Sequence, residues 1–143
     1  MYVLDTNIIV AALWSRTGAS YEIVERALTG RLPFAVSVAL ALEYEAVLKR
    51  AAMREASWAT LAELDVVLDG LLARATRIMP IRTRLRPALS DPADEMVLEC
   101  AVQVGADAIV TMNIRDFASA CALYRVDAIM PGELLRRLGK GET

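Results

Sequence analysis

The 143-residue chain contains no histidine, which removes His-based activation of a nucleophile and makes soft-metal sites improbable. Cysteine is nearly absent too. Cys100 and Cys121 show no metal-ligand spacing and fall within predicted helices, so they read as small core residues rather than a disulfide framework or zinc site. No apolar run is long and uninterrupted enough to span a bilayer, and Asp5 breaks the only stretch resembling a secretory signal. The expectation is a cytoplasmic protein with no membrane segment. Nor is there an excess of charge of either sign. With 16 basic and 18 acidic residues the net charge is −2, so no global field draws the chain to nucleic acid. A polyanion would need a local attraction, such as acids neutralised by a bound divalent cation with arginines nearby.

What the chain does have is core-forming residues. Hydrophobic side chains make up 56% of it and the mean hydropathy is +0.39, enough for one domain over residues 1–143 and a surplus that suggests covered surfaces. Strand and helix patterns alternate. An apolar strand, Met1 to Leu4, precedes a helix through Tyr21 to Leu28 that stops at Gly30. Phe34 to Val36 is a second strand, and Ser37 is placed to cap a helix from Val38 to about Arg54. A third helix spans about Ser57 to Ala73, weakened late by Gly70, and a strand follows around Arg77 to Ile81. Asp91, Pro92 and Gly105 punctuate the next helix as cap, first residue and stop. Ala108 to Thr111 (strand), Ile114 to Cys121 (helix), Leu123 to Val126 (strand) and a helix from Pro131 complete an α/β pattern with a parallel sheet.

Without histidine, any catalyst must rely on carboxylates. Asp5 follows the first strand, inside MYVLDTNIIV, where it either forms a turn with Thr6 and Asn7 or presents a carboxylate at the sheet edge. Glu43 shares a helical stripe with Leu40, Tyr44 and Val47 and so faces inward, while Glu45 points away. Asp91, Asp94 and Glu95 occupy one first turn, where capping and the helix dipole favour acids. Of these, Asp94 borders the apolar face, whereas Glu95 and Glu99 project to the solvent side. Asp116, in TMNIRDF, follows the fourth strand. In a doubly wound sheet these positions converge, and clustered carboxylates with oxygen-only donors suit Mg²⁺ or Mn²⁺. Trp14 and Trp58 read as core or interface residues.

The DTN after the first strand, SVALALE, DPADEMVLECA and GADAIVTMNIRDF together resemble a PIN domain, over Tyr2 to about Gly132. The nearest likeness is to the stand-alone bacterial members, the VapC-like toxins. The resemblance implies a three-layer α/β/α fold around a parallel sheet of four to five strands. It also implies a Mg²⁺- or Mn²⁺-dependent endoribonuclease that cuts single-stranded RNA, is silenced by a cognate antitoxin protein and forms a homodimer. It assigns catalysis and metal ligation to Asp5, Glu43, Asp94 and Asp116, with Thr6, Asn7 and Thr111 in support. Asn113 departs from the family, which often has Asp there, leaving Asp116 as the fourth acid or Asn113 as a neutral contact. That departure supports the alternative of a catalytically weak RNA- or protein-binding module. For RNA contacts, Arg16 and Arg115 flank the acids in sequence. Arg82, Arg84 and Arg86 lie in a segment that reads as a solvated loop and that, if extended, would align all three on one side.

Overall fold

In the computed structural model, which describes residues 1–54, 58–78, 89 and 91–141, strands and helices alternate along the chain. The apolar opening forms β1 (Tyr2–Leu4) and passes through Asp5 directly into α1 (Thr6–Trp14). The polar triplet is therefore a strand-to-helix junction, and a helix occupies the apolar run after it. Next come α2 (Ala19–Leu28), β2 (Ala35–Ser37), α3 (Val38–Arg54), α4 (Leu61–Arg74) and β3 (Thr76–Ile78). The remainder is α5 (Pro92–Val104), β4 (Ala108–Val110), α6 (Ile114–Tyr124), β5 (Asp127–Ile129) and α7 (Pro131–Gly141).

Every ladder is parallel. One sheet has the order β1-β4-β5, with Leu4 opposite Val110 and Val110 opposite Ile129. β2 and β3 pair separately, and a single parallel bridge, Tyr2 to Phe34, relates the two sheets. Among the described residues the largest continuous sheet thus has three strands, where one of four to five was expected. The Tyr2 amide donates to the Pro33 carbonyl (3.0 Å) at that bridge.

Local chemistry sets the helix ends. Ser37 Oγ accepts from the Leu40 amide (3.1 Å), and Asp91 Oδ1 from the Ala93 amide (2.9 Å), as the sequence suggests. Gly105 terminates α5 at φ +63°, a left-handed conformation that glycine adopts without strain. The α4 helix begins later than anticipated because Thr60 and Glu63 form a reciprocal capping box. It also runs through Gly70, where a Cβ would stand 2.8 Å from Leu28 Cδ2; the missing side chain lets α2 and α4 approach. Helix α6 continues to Tyr124, and Arg125, at φ 58°, takes the left-handed turn, which moves β5 beyond the anticipated Leu123 to Val126.

The core joins both sheets to the helices through Leu4, Ile8, Phe34, Tyr44, Leu98 and Phe117, all fully buried or nearly so. Tyr44 donates its hydroxyl hydrogen to the Leu4 carbonyl, docking α3 on the end of β1. Tyr44→Phe leaves that buried carbonyl without this donor and should cost about 1–3 kcal/mol. Urea unfolding would show it as a lower midpoint at unchanged slope.

Two acids differ from expectation. Glu95 and Glu99, assigned to the solvent side of α5, are only 5% and 2% exposed. Helix α5 is covered by β1, β2, β4, α3 and α6, and the Leu89 amide lies 3.4 Å from Glu95 Oε1, so this turn of helix keeps no broad wet face. Cys100 is buried, which pushes its thiol up to about 12, and Cys121 is half-buried; both are free. No helix among the described residues is long and apolar enough to cross a membrane.

Candidate active site

Parallel register brings the ends of β1 and β4 together at the carboxyl edge of the sheet. The Asp5 amide donates to the Val110 carbonyl, and the Thr111 amide to the Ile129 carbonyl, both at 2.9 Å. Asp5 and Thr111 consequently sit side by side although 106 residues separate them. Asp5 holds the N-cap position of α1, yet its side chain makes no capping bond. Its Oδ2 instead accepts from the Thr111 hydroxyl at 2.7 Å. That bond holds the carboxylate against a neighbouring strand end, in addition to a bond from the Thr6 amide of its own backbone.

The loop after β4 is anchored in the same way. Thr111 Oγ1 accepts from the Asn113 amide (3.0 Å), and Asn7 Oδ1 from the Met112 amide (3.4 Å). Thr6 is buried next to Asp5. Of the three residues expected to support the site, Thr111 bonds Asp5, Asn7 bonds the loop after β4, and Thr6 lies beside Asp5 in sequence. Asn113 is exposed at the start of α6, with no capping bond from its side chain, and its carbonyl accepts from the Asp116 amide (3.1 Å).

Electrostatics mark the acids that interact. Burial, with Asp5 only 7% exposed, pushes its carboxyl above the ordinary carboxylate range. Hydrogen bonds from the Thr111 hydroxyl and the Thr6 amide pull it part of the way back, and the charges of Asp116 and Asp91 raise it further. Asp94, half-buried in the first turn of α5, is pushed up to about 6, chiefly by burial and then by Asp5, Asp91 and Asp116. Asp116 itself is exposed. Four aspartates therefore share one field. Asp91 was legible only as a cap, because its bond to Ala93 accounts for it locally; its charge acts on Asp94 one turn away and on Asp5, which only the fold brings near.

Glu43 stands half-buried on α3, next to the Tyr44 that is bonded to β1, but it is not among the charges that raise Asp5 and Asp94. Among the described residues, no three acidic or cysteine side chains are gathered closely enough to hold a metal ion. The chemistry of the set nevertheless suits a hard divalent cation. Its donors are all oxygen, and two of its carboxyls are held towards the protonated form by burial and mutual repulsion, which a bound cation would relieve.

The candidate cationic contacts separate. Arg115 is exposed and lines the same depression as Asn113 and Asp116. The Arg16 guanidinium lies over the Trp58 ring, 4.7 Å from its centroid, beyond the far end of α1 from Asp5. Trp58 is half-buried and bonds its indole N–H to the Ala12 carbonyl (2.7 Å), as a packed residue should. Trp14, read as core or interface, is 47% exposed. Arg82, Arg84 and Arg86 lie outside the described residues.

A parallel sheet flanked by helices, with a buried Asp at the end of its first strand and further aspartates in the same field, defines a nuclease-like α/β architecture. The PIN domain family model matches residues 1–115, and the chain belongs to that family, whose members are in general nucleases. No curated protein and no solved structure gives a significant match.

Proposed function

We propose that the protein is a divalent-metal-dependent endoribonuclease acting on single-stranded RNA, and that it serves as the toxin of a toxin–antitoxin pair, held inactive by a cognate protein and working as a cytoplasmic homodimer. What carries the reading is the Asp5 carboxylate, buried and bonded to Thr111 at the sheet's carboxyl edge, with its pKa raised in company with Asp94. Asp5, Glu43 and Asp94 would hold Mg²⁺ or Mn²⁺, with Asp116 as the fourth acid. When bound, the cation supplies Lewis acidity and activates water at neutral pH. The chain's own residues do the rest. Thr111 fixes the Asp5 rotamer, Asn7 fixes the loop after β4 through the Met112 amide, and Arg115 offers positive charge to a phosphate at the edge of the cluster.

The competing reading is a binding module with weak turnover. It is favoured by the neutral Asn113 and by the absence, among the described residues, of three acids gathered to ligand distance. Incubation of purified protein with single-stranded RNA separates the two. Cleavage in Mg²⁺ or Mn²⁺ that stops with chelator supports the nuclease; retention of intact RNA in either metal supports the module.

A further inference from the structure

Next to the depression that holds Asp116 lies a hollow of about 470 Å³, within the range of small-molecule sites, whose lining includes Ala11, Trp14, Ser15, Met112 and Met130. Met112 and Met130 also border the depression that contains Asn113, Arg115 and Asp116, so a polar hollow and an apolar hollow adjoin at the two methionines, and the pair makes a trough with a polar end and an apolar end only if a ligand crosses between them. Its wall is continuous with the site. Asn7, Ala11 and Trp14 recur at helical spacing along one face of α1, and Asn7 Oδ1 accepts from the Met112 amide next to the Thr111 that holds Asp5. Trp14, Met112 and Met130 are all exposed.

We infer that the trough is a nucleobase subsite: the strand lies with a phosphate at the Arg115 and aspartate end, and the adjoining base enters the apolar end to stack on Trp14 between the two methionines. The inference rests on the single-stranded RNA reading above. Polarity argues for a nucleotide, since charge and apolar surface meet in the order in which a nucleotide presents phosphate and base. An aromatic face also accepts any base without hydrogen-bond readout.

The test uses short oligoribonucleotides with hydrolysis-resistant phosphorothioate linkages, in Mg²⁺, monitored by tryptophan fluorescence and by anisotropy of a labelled strand. Trp14 fluorescence should be quenched, and Trp14→Ala should weaken binding roughly tenfold, the scale of one lost base stack. Trp14→Phe should keep the affinity while losing the quench, and thermal melts of both variants establish that they fold. With cleavable RNA, Trp14→Ala should raise KM and leave kcat largely intact. Unchanged affinity in Trp14→Ala overturns the subsite, as does a Trp14 signal that responds to a second copy or another protein but not to RNA. The two readings fail separately: metal-dependent cleavage indifferent to Trp14 removes the subsite and leaves the nuclease, whereas Trp14-dependent binding of RNA that is never cut does the reverse.

Discussion

Asp5→Asn should reduce metal-dependent RNA cleavage by at least about 10³-fold, an effect of order 4 kcal/mol on the barrier, while the protein remains folded. The substitution keeps the side chain's shape and an oxygen facing Thr111, whose hydroxyl can still donate. What it removes is the charge. Because burial already works against the ionised form of Asp5, the variant should be no less stable than the parent without metal, and its melting temperature should respond little to Mg²⁺. Loss of activity together with collapse of the fold would assign Asp5 a structural role. Full activity would remove it from the chemistry.

Asp94→Asn has the second large effect, and here stability and function should move in opposite directions. The Asp94 carboxyl is raised from its ordinary 3.8 to about 6 by burial and by three other aspartates. Between those values the folded state holds a proton that the unfolded state has lost. The stabilisation tied to the neutral form is complete below about pH 3.8 and is lost as the pH rises through about 6. Asparagine mimics the neutral form at every pH. The variant should therefore match the parent in acid and exceed it at neutral pH by about 1 kcal/mol once solvent screening of this half-buried group is allowed for, or roughly 2–4 °C in Tm. Cleavage should fall steeply in the same variant. A pair of melts, one in acid and one at neutral pH, checks the sign. A variant less stable at neutral pH would show that Asp94 acts through a favourable contact instead.

How far the sequence alone reached depended on the range of the interaction. Caps and stops were readable because Ser37, Asp91 and Gly105 act within a few residues of themselves. The position of Asp5 was readable because an apolar strand ends there. That Thr111 supports it came only through the family resemblance, since only the pairing of β1 with β4 makes neighbours of them. Helix α1 was missed because Asp-Thr-Asn imitates a turn, and because Val10, Ala11 and Trp14, off the buried face of Ile8, Ile9, Ala12 and Leu13, are apolar as well and leave little amphipathic rhythm. Glu95 and Glu99 were placed outside because a helical wheel describes one helix and not the strands, helices and Leu89 packed around it. Between core and interface, the two readings open for Trp14, its exposure excludes the core, because the hollow it lines depends on the loops after β4 and β5.

Titration of the protein with Mn²⁺ near pH 6, followed calorimetrically in buffers of differing ionisation enthalpy, tests most directly whether these aspartates form a cation site. Binding accompanied by proton release is the expected result, because Asp5 and Asp94 carry raised pKa values that a cation would lower, and both heat and release should be lost in Asp5→Asn. Wild-type protein that takes up no Mn²⁺, or an Asp5→Asn variant that binds it equally well, would contradict the site.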